Sequence, residues 1–215
     1  DTGIGMSKEE LEENLGTIAK SGSFDFKNEN ETKDDFDIIG QFGVGFYSAF
    51  MVARKVEIHS LSYKDGAKAV KWSCDGSPEY TMEECEKANR GTDIVLYIDE
   101  ENKDFLEQSR IDGLLKKYCR FLPVPVISGK EQEWKDGKYV DTDKDKVVNV
   151  TDPAWMKKPA DLTKEDYLNF YHDLYPGQED PLFWIHLNVD YPFTLTGILY
   201  FPKIKNNFEI NKNRI

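Results

Sequence analysis

Asp1-Thr2-Gly3-Ile4-Gly5 and Gly40-Gln41-Phe42-Gly43-Val44-Gly45-Phe46 are the two glycine-rich stretches that decide the fold of this chain. The first joins a carboxylate to residues without side chains, so the backbone can pass close to a flat ring. The second offers a run of backbone N–H groups just before an apolar helix, an arrangement that holds phosphate oxygens. Together they predict the two walls of a nucleotide pocket.

The size and charge of the chain restrict its partners. Its 215 residues suffice for one large domain or two small ones. The net charge of −12 leaves no broad basic face, so neither nucleic acid nor an anionic membrane is an expected partner. The chain begins on the pocket aspartate itself, and we therefore expect elements that normally precede the pocket to be missing.

The cysteines and histidines do not form a metal-binding pattern. They are Cys74, Cys85, Cys119, His59, His172 and His186. The cysteines lack a paired short spacing, which favours reduced thiols and a cytoplasmic location. The histidines are scattered, so we interpret them as packed or surface side chains and expect no metal site.

The first part of the chain combines helices with short strands. A helix is predicted over residues 7–21, where Ser7 and Glu10 form a capping box, and a second over residues 46–53. Between them, residues 23–38 are polar, which is typical of a lid or of plain disorder. Alternating runs at 55–61, 67–74, 80–82 and 92–98, with turns at Asp65-Gly66 and Asp75-Gly76, predict an antiparallel meander.

The second part begins with a helix predicted over residues 111–121 and an edge strand at 124–127. Residues 130–146 are mostly charged and indicate a solvated linker, with room for a short hairpin about Asp136-Gly137. A helix capped by Thr163 and Asp166 and two apolar strands at 182–189 and 193–201 follow. We expect a nucleotide-binding part over residues 1–128, a linker over 129–147 and a second domain from 148 to 215.

The residue types near the glycines suit an adenine ring. The Asp1 carboxylate can accept from an exocyclic amine, and the same carboxylate together with the Thr92 hydroxyl can hold a water for a ring nitrogen. Gly5 leaves space for the ring, and Met6 offers a polarizable apolar face. These four residues form the predicted base-binding side of the pocket.

The sugar and phosphates would lie on the other side of the pocket. Asn14 and Lys20 could reach them from the first helix, with Lys20 as a point charge. The amides of residues 43–46 would close around the phosphates at the start of the next helix.

Each motif alone has a plainer interpretation. An Asp-x-Gly-x-Gly stretch is usually a turn, and a lone G-x-x-G-x-G also suggests a dinucleotide fold. A dinucleotide motif should follow a hydrophobic strand, however, and residues 34–37 are acidic. The order of carboxylate, capped helix, loop, glycine loop, helix, strands and Gly91-Thr92 favours the nucleotide pocket.

Longer strings carry a family resemblance. They are Asn14-Leu15-Gly16-Thr17-Ile18-Ala19-Lys20-Ser21-Gly22, Ile39-Gly40-Gln41-Phe42-Gly43-Val44-Gly45-Phe46-Tyr47-Ser48, Arg90-Gly91-Thr92, Asp180-Pro181-Leu182 and Leu199-Tyr200-Phe201-Pro202. They resemble the ninety-kilodalton heat-shock chaperones (Hsp90) within the GHKL ATPase superfamily. The likeness covers nearly the whole chain, is weakest at the lid centre and the linker, and is closer to the bacterial type because the linker is short.

The resemblance implies an α+β fold: a Bergerat-type ATP-binding α/β sandwich without its N-terminal elements, followed by the start of an α/β middle domain. By resemblance, residues 23–39 would be the lid over ATP or ADP. The nucleotide contacts would be Asp1, Gly5, Met6, Asn14, Lys20, Gln41, Phe42, Gly43, Val44, Gly45, Phe46 and Thr92.

The resemblance also places catalysis outside this sequence. The family's catalytic glutamate and its Mg²⁺-binding asparagine lie upstream of Asp1, and a catalytic arginine would lie beyond Ile215, so no catalytic residue is expected here. The intact protein would be a homodimeric ATP-dependent chaperone acting on unfolded clients. Alternatives are a histidine kinase or topoisomerase-type ATPase, and a client-binding module that uses exposed aromatics such as Trp155, Phe170 and Trp184.

Overall fold

The computed structural model of the protein describes residues 1–17, 43–192 and 194–203. The chain divides into two compact units, Asp1–Ile111 and Asp112–Ile215. Nowhere in the described ranges does a helix reach the length and apolarity that crossing a membrane requires. The predicted lid and the helix residues from 18 onward lie outside the described residues.

The first unit is built on one antiparallel sheet. Its elements are α1 (Lys8–Leu15), a 3-10 helix (Gly45–Met51), β1 (Ala53–Leu61), β2 (Val70–Cys74), β3 (Tyr80–Glu84), β4 (Gly91–Ile98) and a further 3-10 helix (Glu100–Leu106). The strand order is β3-β2-β1-β4. The α+β class with antiparallel pairing is confirmed, but β4 returns to pair with β1 instead of continuing the meander beyond β3.

Helix α1 begins at the predicted capping box. The Ser7 hydroxyl accepts from the Glu10 amide at 3.3 Å, and the Glu10 carboxylate accepts from the Ser7 amide at 2.7 Å. The helix ends at Leu15, where Gly16 serves as C-cap and donates to the Glu12 carbonyl. Helix α1 is therefore shorter than the predicted span of 7–21.

The helix predicted over residues 46–53 is a 3-10 helix that ends at Met51, because β1 begins at Ala53. Its Phe46 ring packs edge-on against Trp72, with 5.8 Å between the ring centroids. Together with α1 it covers one face of the sheet. The buried core on that face consists of Leu11, Ala53, Val56, Ile58, Val70 and Trp72.

The second unit begins within α2 (Gln108–Tyr118), the helix predicted over 111–121. It continues with β5 (Ile127–Lys135), β6 (Lys138–Val147), 3-10 turns at Ala154–Met156 and Pro159–Asp161, α3 (Lys164–Leu174), β7 (Phe183–Val189) and β8 (Leu195–Phe201). The predicted Thr163 cap of α3 is confirmed, and the last two strands form an antiparallel pair.

Two predictions for the second unit can be compared with the structure. Of the edge strand or strand end expected at 124–127, only Ile127 is in a strand, as the first residue of β5, and the buried Asn149 side chain forms hydrogen bonds with the backbone of the residues before it. That side chain accepts from the Val126 amide at 2.7 Å and donates to the carbonyls of Leu122 and Val124. The charged stretch, expected to be a solvated linker with room for a short hairpin about Asp136-Gly137, is a hairpin of β5 and β6 with its turn there, and its pairing register shifts on either side of Lys130. The division of the chain at residues 128 and 147 stays a prediction.

The aromatic residues of the second unit pack among themselves. Trp155 and Phe170 both contact the Phe121 ring, at centroid distances of 6.2 and 5.9 Å. Trp184 stacks on Tyr167 at 5.1 Å. Trp155, Phe170 and Trp184 are half-buried in these contacts, which favours a packing role over an exposed client surface.

The face of the first sheet opposite the core carries a buried carboxylate. Glu57 on β1 pairs with Lys55 at 2.6 Å and accepts from the Tyr97 hydroxyl of β4 at 2.9 Å. The hydrogen bond from Lys55 outweighs desolvation by burial and, with that from Tyr97, lowers the pKa of Glu57 to about 2. The charged form of Glu57 therefore helps to hold β4 beside β1.

We expect the Glu57 carboxylate to make the stability of the fold decrease at low pH. The pKa of Glu57 in the folded protein lies below the ordinary value of about 4.3. The contribution of Glu57 to the free energy of unfolding is therefore complete above that value and is lost as the pH falls toward 2. Glu57→Gln should therefore flatten the decline in unfolding free energy between about pH 5 and pH 2, measured by urea titration. The exposed Glu101→Gln serves as control, and an equal effect of both variants would contradict this role for Glu57.

Candidate functional site

The opening segment is bonded to the ends of β1 and β4. The amino group of Asp1 donates to the Thr92 carbonyl at 2.8 Å, and the Thr92 amide donates back to the Asp1 carbonyl at 3.3 Å. Farther along, the Tyr63 amide donates to the Ile4 carbonyl at 2.7 Å. The structure thus brings together Asp1 and Thr92, which the sequence had proposed as the two base-binding groups.

Two glycines make this close approach possible. Gly5 has φ +64, and a Cβ atom there would lie 1.9 Å from the Leu61 carbonyl oxygen. Gly91 has φ +118, and its Cβ would lie 2.1 Å from the Asp1 carbonyl oxygen. Neither position has room for a side chain, so both glycines are needed for the opening segment to reach the sheet.

The polar groups of the site are a carboxylate and a hydroxyl. The Asp1 side chain is exposed, and its Oδ1 accepts from the Gly3 amide at 2.9 Å. The Thr92 side chain is half-buried, and its Oγ1 lies 2.8 Å from the Ser60 hydroxyl oxygen. This places one acceptor and one hydroxyl on neighbouring, backbone-paired residues.

Met6 and Asn14, two further predicted residues, belong to the same unit as this pair. Met6 packs against the buried core cluster, and Asn14 is half-buried near the end of α1. The Tyr47 hydroxyl of the 3-10 helix donates to the Leu15 carbonyl at 3.1 Å, which ties this helix to the end of α1.

The structure describes only part of the predicted phosphate loop. Gly43 has φ +61, Val44 is exposed, and Gly45 begins the 3-10 helix. The Phe46 side chain belongs to the packing on Trp72, so only its backbone could take part in anion binding. Lys20, Gln41 and Phe42 lie outside the described residues, so their roles stay predictions.

Sequence reasoning missed one residue of this site, Ser60 on β1. Its side chain is fully buried, and its hydroxyl accepts from the Met6 amide at 2.8 Å. The sequence did contain a signal for this residue, since Ser60 is a polar residue in the core-facing alternation of Val56 and Ile58. A polar residue at such a position needs hydrogen-bond partners, and here they are the Met6 amide and the Thr92 hydroxyl.

Comparison with known proteins agrees with this geometry. The family model described as "Histidine kinase-, DNA gyrase B-, and HSP90-like ATPase" matches residues 1–92, which include Asp1 and Thr92. The model described as "Hsp90 protein" matches residues 127–214. The chain belongs to the Hsp90 family.

Relatives within the Hsp90 family match the chain along its whole length. It is 63% identical over 215 residues to chaperone protein HtpG of Bacteroides fragilis and 61% identical over 215 residues to that of Porphyromonas gingivalis; each match covers 100% of this chain and 31% of the relative. The HtpG of Bacillus subtilis is 44% identical over 212 residues, with 94% of this chain and 34% of the relative covered. The chain thus spans about a third of the length of the curated relatives it matches.

A pair of glycine variants tests whether close backbone approach builds the site. Gly66 has φ +73 and open space around its Cβ position, so Gly66→Ala should cost only the strain of the left-handed conformation, roughly 1–2 kcal/mol. Gly5→Ala carries the same strain and must also displace the Leu61 carbonyl, which should add about 1–3 kcal/mol. Urea unfolding measures both losses, and equal losses would contradict the proposed close approach.

Proposed function

We propose that the first unit is part of an adenine-nucleotide site, and that the intact protein is a molecular chaperone driven by ATP. The observation that carries this proposal is the backbone pairing of Asp1 with Thr92. It sets a carboxylate acceptor beside a hydroxyl, and two glycines permit the close backbone approach that this requires. The match of residues 1–92 to an ATPase family model supports it.

In this proposal each side of the pocket has a separate task. The Asp1 carboxylate accepts a hydrogen bond from the exocyclic amine of adenine, and Thr92 holds a bridging water with it. Gly5 and Met6 border the ring, where a side chain at residue 5 would collide with Leu61. The base is thereby recognised by its hydrogen-bonding edge.

The sugar and phosphates would lie toward α1 and the glycine loop. Asn14 and Lys20 would contact them from the first helix, and the backbone of residues 41–46 would surround the phosphates. The bond between Tyr47 and Leu15 supports this arrangement, since it holds the first turn of the 3-10 helix beside the end of α1.

We propose further that ATP binding closes a lid at residues 23–39 and that hydrolysis drives domain rearrangements that remodel client proteins. The relatives named chaperone protein HtpG support the chaperone assignment. The intact protein would act as a cytoplasmic homodimer without nucleic-acid or membrane partners. Among the described residues no three His, Cys, Asp or Glu side chains form a metal site, so we assign no step to Mg²⁺ in this part of the protein.

The rival functions have less support. A histidine kinase or topoisomerase would share the ATPase match of residues 1–92 but not the Hsp90 match of residues 127–214. A purely client-binding module would use exposed aromatics, whereas Trp155, Phe170 and Trp184 pack against other rings. Without the family's glutamate, asparagine and arginine, residues 1–215 alone should bind nucleotide weakly and show no useful ATP hydrolysis.

A charge-removing variant tests the base-binding carboxylate. Asp1→Asn retains an oxygen that can accept from the Gly3 amide, but it replaces the other carboxylate oxygen by an amide donor. Loss of a charged acceptor should weaken ADP binding by about 1.5–3 kcal/mol, or roughly 10- to 100-fold in Kd, measured by isothermal titration calorimetry.

The control for this experiment is Asp65→Asn, which removes the same charge from an exposed turn of the first unit. We expect this control to bind ADP like the unmodified chain. If Asp1→Asn also bound ADP with unchanged affinity, the assignment of Asp1 to the adenine amine would be wrong.

A further inference from the structure

Ser60 links the opening segment to β4 through its side chain. It lies on β1 opposite Thr92 of β4, and its side chain is fully buried. Its hydroxyl oxygen lies 2.8 Å from the Met6 amide of the opening segment and 2.8 Å from the Thr92 hydroxyl. A third partner, the Gly91 carbonyl oxygen, lies 3.4 Å away.

The direction of these hydrogen bonds follows from the chemistry of the groups. The Met6 amide can only donate, so Ser60 accepts from it. Ser60 has one proton left to give, either to Thr92 or to the Gly91 carbonyl. Bonds between oxygen atoms are normally about 2.5–3.0 Å long. The Thr92 hydroxyl lies within that range and the Gly91 carbonyl lies beyond it.

A consequence for Thr92 follows directly. If Ser60 donates its proton to Thr92, the proton of the Thr92 hydroxyl is free to be donated to another group. Thr92 is only half-buried, so a ligand or a bridging water in the site can accept that proton. The Thr92 hydroxyl is then a donor beside the Asp1 carboxylate, which is an acceptor.

We propose that Ser60 is a positioning residue that orients Thr92 as a donor and thereby selects 6-aminopurines over 6-oxopurines. This inference rests on the proposed nucleotide function. A water that accepts from Thr92 keeps both of its protons, one for the Asp1 carboxylate and one for an unprotonated ring nitrogen. A 6-oxopurine carries a proton on that nitrogen and a carbonyl oxygen in place of the amine, so it matches neither group.

Binding of ADP and of inosine diphosphate to the 215-residue chain tests this selection. The unmodified chain should prefer ADP. In Ser60→Ala the Thr92 hydroxyl can either donate or accept, so the preference for ADP should fall by roughly 3- to 10-fold, which corresponds to one net hydrogen bond. An unchanged ratio of the two Kd values in Ser60→Ala would overturn the proposal.

Two further variants separate positioning from general stability. Ser62→Ala removes another buried hydroxyl near the end of β1, which accepts from the Lys64 amide at 3.5 Å, and should leave the preference for ADP intact. Thr92→Val removes the ligand-facing hydroxyl itself. If Ser60 acts through Thr92, adding Ser60→Ala to Thr92→Val should change the preference no further, and an additive loss would contradict the proposal.

A measurement without nucleotide distinguishes failure of this inference from failure of the proposed function. Nuclear magnetic resonance of the free chain reports hydrogen exchange of the Met6 amide and the side-chain dihedral of Thr92. Ser60→Ala should speed hydrogen exchange of the Met6 amide at least about 10-fold and allow the Thr92 side chain to sample several rotamers, whereas Ser62→Ala should change neither. If the unmodified chain did not distinguish the two nucleotides, the adenine site would be wrong. If exchange and dihedral were unchanged in Ser60→Ala, the positioning role would be wrong.

Discussion

The exchange of two backbone hydrogen bonds between Asp1 and Thr92 is the constraint on which the site depends. It joins residues 91 positions apart and has the form of a hydrogen-bonded pair of antiparallel strands. This exchange requires the Gly91 backbone to come so close to Asp1 that no side chain fits. The position of the carboxylate relative to the hydroxyl is therefore set by backbone geometry, not by flexible side chains.

The sheet that carries this pair has two different faces. On one face, Val56 and Ile58 pack into the apolar core, and Ser60 extends the same row to the site. On the other face, Glu57 is held by Lys55 and Tyr97 and links β1 to β4. Because alternate residues of β1 serve the core, the site and the pairing with β4, this strand couples stability of the sheet to the geometry of the site.

Local signals predicted the parts of this fold that depend on neighbours in sequence. The capping boxes at Ser7 and Thr163 and the hairpin turn at Asp136-Gly137 could be predicted because each uses residues only a few positions apart. The pairing of β4 with β1 and the roles of Ser60 and Asn149 could not. They depend on contacts across 23 or more positions, which periodicity does not encode. The proximity of Asp1 to Thr92 was expected from the residue types and from the family resemblance, whereas the Asp-x-Gly-x-Gly pattern alone left a simple turn as an alternative.

The most direct test of the account is a titration of the free chain with ADP followed by amide chemical shifts. The amide signals of Gly3, Gly5 and Thr92 should shift together, because these residues border one site, while the indole N–H signals of Trp134 and Trp184 in the second unit stay in place. Shifts confined to the second unit, with these three amides unchanged at saturating ADP, would contradict the account.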